Sequence, residues 1–340
     1  MRQRLVTLSI LFALTTMCVD AQRLDSLSAN QTDQALSGTI RVWGNDRMDT
    51  LMEYWQEGFK KHHPGVQFEN KLIGTGTGMA GLYTSVADLA SMGRDATASE
   101  VMAFEWVFKY KPLGVEVTNG SLDVPGKTFA LAVFVNKDNP IAKLTLAQLD
   151  AIFGAEHLRG PRNARTWGDL GLAGDWQGKP INPYGYDAET NTGLFFKRVV
   201  FNGSDKWSCD LKEFTDQKKA NGGLLDASDQ ILQALAHDRY GIAYANPRYS
   251  NPQVKAIALA SADTAPAYQT TKANLIERKY PLARATSIYI NRAPGKPIDP
   301  KVKEFLLYIL SPDGQQEVAR EGDFLPLGKE TVAEQRRKLE

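Results

Sequence analysis

The chain has 340 residues, of which 43% are hydrophobic and 23% are charged, and its formal net charge at pH 7 is +1. This composition is typical of a globular protein and excludes an intrinsically disordered chain and one embedded in a membrane. The nearly balanced charge argues against a nucleic-acid-binding protein. The length is sufficient for two domains of ordinary size.

The N-terminal 21 residues have the pattern of a secretory signal peptide. Arg2 and Arg4 precede an apolar run over residues 5–19, and the small residues that end at Ala21 offer a cleavage site. Cleavage there would remove two positive charges and one negative charge, so the mature chain would be neutral. The sequence therefore predicts export to the periplasm, with a polar and flexible leader over residues 22–37.

The cysteines and histidines indicate neither a disulfide nor a metal site. Of the two cysteines, Cys18 lies within the predicted signal peptide, where lipidation is the alternative, and Cys209 stands alone. No zinc-ligand spacing occurs among the four histidines, which are His62, His63, His157 and His237. We therefore expect no metal and no cofactor.

Strands and helices alternate in the first part of the chain. Alternating or continuous apolar residues predict strands at 39–43, 66–73, 87–92 and 128–135. Apolar residues at helical spacing predict a helix over 48–59. This order is typical of a parallel sheet with crossover helices, in which ligands lie beyond the carboxyl ends of the strands. The glycines and polar residues that follow the first three strands should therefore meet at one rim.

The remaining sequence predicts a second αβ unit and a return to the first. The predicted elements of the second unit are a helix over 145–153, a strand over 181–186, a helix ending near 200, two helices on either side of 222–223 and a strand over 241–245. Strands at 254–259 and 285–290 are expected to rejoin the first unit, ahead of two C-terminal helices. The predicted domains are a discontinuous lobe 1 (38–135 and 251–330), lobe 2 (136–250) and a tail (331–340). Two crossings between lobes suit closure around a ligand.

The loop over residues 74–78 is a candidate anion site. A strand that ends in glycines and continues as a helix leaves backbone N–H groups unpaired at the positive end of the helix dipole. The candidate binding residues in this loop are Thr75, Gly76, Thr77 and Gly78. A tight strand-to-helix turn with a threonine cap explains the same residues.

Two further polar segments lie at predicted helix starts. Asn45-Asp46-Arg47 precedes the first helix, and Thr190-Asn191-Thr192 precedes a helix of the second unit. Helix capping alone is the alternative in both cases. Because three such segments follow three strands in two lobes, we expect them to converge on one pocket. Gly93 and Arg94, which end the third strand, complete the candidate set of binding residues.

Several segments together carry a family resemblance. They are residues 44–48, 74–78, 87–94, 187–192, 280–284, 289–291, 295–297, 311–315 and 325–327. With them the chain resembles, over residues 38–328, the periplasmic phosphate-binding proteins of ABC transporters, which are type II periplasmic binding proteins. The resemblance implies an α/β fold of two lobes, each a mixed, mostly parallel sheet flanked by helices, joined by a two-strand hinge. It also implies a dehydrated oxyanion held by hydrogen bonds, and an acidic group that accepts the proton of HPO₄²⁻ and disfavours sulfate.

The site also departs from the family pattern. Tyr186 occupies the place of an arginine that family members carry shortly before the second-lobe segment. The lost guanidinium removes a strong bidentate contact, which Arg47 or Arg94 could replace from the first lobe. Asp187 and Glu189 would instead repel an anion.

The sequence thus predicts a periplasmic solute-binding protein, not an enzyme, that captures phosphate or a related oxyanion between two lobes for uptake by an ABC permease. We expect a monomer that binds no nucleic acid. Because Tyr186 is unusual and Gly93 stands where many members have Asp or Ser, a different small ligand in a sensor or scaffold is the alternative. A less favoured alternative is an exported phosphoester hydrolase, for which we find neither a nucleophile elbow nor a metal cluster in the sequence.

Overall fold

The computed structural model describes residues 36–160 and 163–340. The predicted signal peptide, with Cys18, and all but the last two residues of the predicted leader lie outside the described residues. Within the two described ranges, we find no helix with the length and apolar character needed to cross a membrane. The same ranges contain no group of three or more His, Cys, Asp or Glu side chains that could hold a metal ion.

Strands and helices alternate along the chain. The strands are β1 (Ser37–Gly44), β2 (Gly65–Lys71), β3 (Leu89–Met92), β4 (Leu113–Thr118), β5 (Ala132–Asn136), β6 (Lys143–Thr145), β7 (Asn182–Tyr186), β8 (Lys212–Phe214), β9 (Gln217–Lys218), β10 (Leu224–Leu225), β11 (Gly241–Ala245), β12 (Val254–Ala256), β13 (Ala258–Ala260) and β14 (Thr286–Ile290). The helices are α1 (Asp49–Lys60), α2 (Gly76–Tyr83), α3 (Ala98–Phe108), α4 (Leu146–Phe153), α5 (Asn191–Val200), α6 (Ala227–Ala236), α7 (Lys272–Ile276), α8 (Pro300–Ile309), α9 (Pro312–Glu321) and α10 (Lys329–Arg337).

Two five-stranded mixed sheets form the framework. The first has the order β2-β1-β3-β14-β4, in which β2, β1 and β3 are parallel and β14 is antiparallel to both of its neighbours. The second has the order β12-β5-β11-β7-β8, in which β11, β7 and β8 are parallel and the other pairs are antiparallel. The predicted mixed α/β class is confirmed, with parallel pairing confined to one half of each sheet.

Three predictions about strands and helices need correction. The strand expected over 254–259 divides into β12 and β13, and β12 pairs with β5 in the second sheet instead of returning to the first. The apolar strand expected at 128–135 also pairs in the second sheet, as β5, because all of its side chains are buried there between two neighbouring strands. Before Gly222 the chain forms the short strands β8 and β9 rather than a helix, and β9 pairs with β10 as a hairpin.

The chain crosses between the two sheets twice, from β4 to β5 and from β13 to β14. The crossings are joined by hydrogen bonds, because the Tyr280 hydroxyl donates to the Leu131 carbonyl at 2.9 Å. At the edge of the first sheet, the Thr118 and Thr286 hydroxyls are hydrogen-bonded at 2.8 Å. The buried hydroxyls of Tyr280, Thr118 and Thr286 therefore all have partners, and the paired crossings form the hinge between the sheets.

The sheets are stabilised by apolar faces of their helices. In α1 the buried positions Leu51, Met52, Trp55 and Phe59 recur at helical spacing, and the helix packs against β2, α8 and α9. In the second sheet the ring of Phe196 from α5 stacks on Tyr244 of β11, with ring centroids 3.8 Å apart. A side chain at Gly185 would come within 2.2 Å of the Tyr244 ring, so β7 requires a glycine there.

This stack generates a stability prediction. We expect Phe196→Ala to lower the free energy of unfolding by about 3–5 kcal/mol, because it opens a cavity in a fully buried aromatic cluster. Urea unfolding followed by circular dichroism measures the change. Leu158→Ala, at a side chain that is 50% exposed, is the control and should cost less than about 1 kcal/mol. A loss below about 1 kcal/mol for Phe196→Ala would contradict the packing described.

Candidate functional site

A cleft of about 620 Å³ lies between the two sheets, and residues of both sheets and of the hinge line it. Nine of the twelve predicted binding residues are among its lining residues. They are Asn45, Asp46, Arg47, Thr75, Gly93, Arg94, Thr190, Asn191 and Thr192. The structure therefore brings together the segments that sequence reasoning expected to converge, although they come from opposite sides of the hinge.

On the side of the first sheet, hydrogen bonds hold three strand ends together. The Asn45 N–H donates to the Ser91 carbonyl at 2.8 Å, and the Gly74 N–H donates to the Gly44 carbonyl at 2.9 Å. A side chain at Gly93 would come within 2.4 Å of the Asn45 amide nitrogen. The glycine at 93, unusual for the family pattern, therefore makes room for the Asn45 side chain.

Three of the predicted residues do not line the cleft: Gly76, Thr77 and Gly78. The Thr77 hydroxyl donates back to the Gly74 carbonyl at 2.8 Å, which closes the turn at the start of α2. A side chain at Gly78 would come within 3.1 Å of the Met92 sulfur, so this glycine allows α2 to pack on β3. For Thr77 and Gly78 the geometry matches the alternative reading as a tight turn, and only Thr75 of this loop lines the cleft.

On the side of the second sheet, the start of α5 faces the cleft. The Thr190 hydroxyl caps α5 by accepting from the Gly193 N–H at 3.1 Å, while Asn191 and Thr192 line the cleft beside it. Asp187 and Glu189 are not lining residues, and the Asp187 carboxylate accepts the Glu189 N–H within their own turn at 2.9 Å. The predicted repulsion of an anion by these two carboxylates therefore lacks a geometric basis.

Two of the cations that line the cleft are paired with carboxylates. Arg94 forms a bidentate ion pair with Glu100, at 2.7 and 2.8 Å. Lys127 lies 2.9 Å from Glu321 and 3.4 Å from Asp323. A third cation, Arg47, has a side chain that is 62% exposed and lies 3.7 Å from Asp46. None of the three presents an unscreened positive charge inside the cleft.

Arg284 is not among the predicted binding residues, although the segment 280–284 contributes to the family resemblance. This residue lies in the second crossing, lines the cleft and is only 7% exposed. Its guanidinium lies 4.9 Å from the centre of the Phe195 ring and 5.9 Å from that of Phe129. Burial lowers the pKa of Arg284 to about 10, so the group remains charged at neutral pH. The residue belongs to the candidate site by position and by charge.

Tyr186, at the position of the missing family arginine, also lines the cleft and is neutral. Its hydroxyl is hydrogen-bonded to Ser228, and burial raises its pKa above the usual value. Acidic groups also line the cleft, namely Asp46, Asp216 and Asp226. Asp216 accepts the Ala227 N–H at 2.8 Å, and Asp226 caps α6 at the Ser228 N–H at 2.7 Å. The cleft thus combines hydroxyls, amides, a buried guanidinium and carboxylates.

Comparison with known proteins identifies the class that this fold and cleft define. The family model described as the PBP superfamily domain matches residues 29–313, so the chain is a binding protein of that superfamily. The chain is also 34% identical over 303 residues to the phosphate-binding protein PstS of Pseudomonas aeruginosa. The aligned region covers 89% of this chain and 87% of that protein. Within the superfamily, the chain belongs to the family of the PstS proteins.

Solved structures show the same two-lobed fold. The structure of PstS from Borrelia burgdorferi matches with a TM-score of 0.56 at 16% identity, covering 86% of this chain and 100% of that one. An ABC-type phosphate transport receptor from Vibrio cholerae matches with a TM-score of 0.52 at 18% identity, covering 84% of this chain and 99% of that one. These likenesses support the two-lobed architecture joined by a hinge.

The Arg94–Glu100 pair generates a pH prediction. Although burial raises the pKa of Glu100, hydrogen bonds from Arg94 and Thr97 hold it below the value of 4.5 expected in the unfolded chain. Ionised Glu100 therefore stabilises the fold above about pH 4.5, and this contribution is lost as the pH falls through the lower folded-state value. We expect Glu100→Gln to cost about 1–3 kcal/mol at pH 7 and less at pH 3.

Urea unfolding at several pH values measures this difference. Glu105→Gln, on the same helix, is the matched control and should change the free energy of unfolding by less than about 0.5 kcal/mol at each pH. An equal loss for Glu100→Gln at pH 3 and pH 7 would show that the charge of Glu100 is not what stabilises the pair.

Proposed function

We propose that this protein captures phosphate in the cleft between its two sheets and delivers it to an ABC permease. The observation that carries the proposal is the convergence of polar segments from both sheets with a buried arginine. The start of α5 offers N–H groups and a positive dipole end, and arginine offers a bidentate fork, so an oxyanion is the ligand that suits both. The printed name of the Pseudomonas aeruginosa relative, a phosphate-binding protein, supports phosphate as that oxyanion.

The mechanism is capture by closure. In this proposal lobe 1 is built on the first sheet, lobe 2 on the second, and both rotate about the paired crossings. The proposed ligand groups are Asn45, Asp46 and Thr75 from lobe 1 and Asn191 and Thr192 from lobe 2. Binding and release need no covalent step, so the protein acts as a receptor rather than an enzyme. The predicted signal peptide supports a periplasmic location.

The carboxylates of the cleft provide a basis for choosing between oxyanions. At neutral pH phosphate carries an O–H group that can donate a hydrogen bond to the carboxylate of Asp46, Asp216 or Asp226. Sulfate carries no such group. A carboxylate that faces sulfate would be left with lone pairs opposite a like charge, which costs free energy. We therefore propose that the cleft prefers phosphate to sulfate.

Isothermal titration calorimetry with phosphate at pH 7.5 tests the proposal. We expect saturable binding of one phosphate per chain and weaker binding of sulfate. Thr192→Val should weaken phosphate binding about 10- to 100-fold, because a hydrogen bond to a charged group contributes about 1.5–3 kcal/mol.

Thr84→Val is the matched control, since Thr84 lies at the end of α2 and donates to the Ala80 carbonyl at 2.7 Å, outside the cleft. Its affinity for phosphate should equal that of the wild type. Absence of heat with millimolar phosphate, in a protein that unfolds cooperatively, would refute phosphate as the ligand.

A further inference from the structure

We propose that Arg284 is the charge-bearing anchor of the cleft, which holds the oxyanion in place of the arginine that the family carries where this chain has Tyr186. The inference rests on the proposed function and deepens it, because it names the residue that makes the cleft select an anion over a neutral ligand.

The first step is that the other cations of the cleft are already neutralised or exposed. Glu100 engages both terminal nitrogens of Arg94. Lys127 is divided between Glu321 and the Arg47 carbonyl, at 2.9 and 2.8 Å. An anion that approached either group would compete with a carboxylate already in contact with it. Neither therefore provides the free positive charge of the cleft.

The second step is that Arg284 has no such partner. Within the described residues its guanidinium forms no ion pair and no side-chain hydrogen bond, and it lies over the aromatic rings of Phe129 and Phe195. The charges of Asp95 and Arg198, which are ion-paired with each other, act on it from a longer distance and with opposite signs. Aromatic faces attract a cation, but they do not satisfy its N–H groups. A side chain with five donors is thus more than nine-tenths buried and lies beside open space, because it lines two cavities.

The third step is that this open space is the cleft. Arg284 lines both the cleft of about 620 Å³ and a smaller cavity of about 230 Å³ that lies between α5 and the start of α3. Asn191 and Arg94 line both cavities as well. The guanidinium therefore lies between the start of α5 and the first-sheet rim, beside the place of an anion held at the start of α5.

The fourth step concerns free energy. A buried charge without a counter-charge destabilises the fold, and a bound oxyanion would supply both the opposite charge and bidentate acceptors. The unliganded protein should therefore be less stable than a variant without this charge, while the liganded protein should be more stable. If Arg284 had a purely structural role, its replacement would lower the stability of the unliganded protein, because packing would be lost.

The fifth step is the position of Arg284 in the chain. It lies two residues before β14, in the crossing whose Tyr280 is bonded to the other crossing. Phe129 belongs to the first crossing and Phe195 to α5, so the guanidinium contacts the hinge and the second sheet at once. An anchor at the hinge keeps its place whether the lobes are open or closed, whereas groups on the two rims meet the ligand only on closure.

The experiment compares three variants with the wild type by thermal unfolding and by calorimetry, with and without inorganic phosphate. Arg284→Met keeps the length of the side chain and removes the charge, and Arg284→Lys keeps the charge and removes the fork. Arg320→Met is the matched control, because Arg320 also lies over an aromatic ring, that of Tyr54 at 4.2 Å, but its side chain is 59% exposed and ion-paired with Glu317.

We expect Arg284→Met to raise the melting temperature of the unliganded protein by about 3 °C or more. The same variant should bind phosphate about 100-fold or more weakly and lose the phosphate-induced rise in melting temperature. Arg284→Lys should lose about tenfold in affinity, since an ammonium keeps the charge without the bidentate geometry. Arg320→Met should change the affinity by less than about threefold, as expected of an exposed pair.

Two failures are distinguishable. A wild type that binds no phosphate would overturn the proposed function and this inference with it. A wild type that binds phosphate while Arg284→Met binds it equally well would overturn the inference alone. An Arg284→Met variant that melts below the wild type without phosphate would also overturn it, because the arginine would then act by packing and not as an uncompensated charge.

Discussion

The free energy of keeping the Arg284 guanidinium out of water is the constraint on which the site depends. Water is replaced around it by the rings of Phe129 and Phe195, and the Asp95 carboxylate, whose charge acts on it, is ion-paired with Arg198. The fold can hold this group because the paired crossings and the sheets provide stability elsewhere, in the aromatic stack of Phe196 and the buried face of α1. The strain of an unpaired charge is thereby placed where a ligand can relieve it.

The same constraint gives a physical reading of the two departures from the family pattern. The phenol of Tyr186 is neutral and bonded to Ser228, so it adds no charge to the cleft. At Gly93 the missing side chain leaves space for the Asn45 amide, which exchanges an acidic or hydroxyl group for an amide at that rim. The positive charge that is missing at Tyr186 is thus supplied by Arg284 in the hinge. The polar group that is missing at Gly93 is supplied by the Asn45 amide on the first sheet.

Local sequence patterns predicted the elements and the helix starts of the site, because helical and strand periodicity and polar caps are properties of neighbouring residues. They did not predict that β12 pairs in the second sheet, since membership of a sheet depends on contacts distant in sequence. Thr77 and Gly78 have the composition of an anion loop, and only the packing of α2 on β3 shows that they close a turn. Local patterns did not predict Arg284 as a site residue either, because its burial without a carboxylate partner results from tertiary packing.

The account holds that one oxyanion lies between the two sheets, against Arg284 and the start of α5. The most direct measurement is a crystal structure of the protein grown with phosphate. We predict a tetrahedral anion within hydrogen-bond distance of the Arg284 guanidinium and of Thr192, with groups from the Asn45 rim closed over it. An anion bound only outside the cleft, or a phosphate in the cleft that makes no contact with Arg284, would contradict the account.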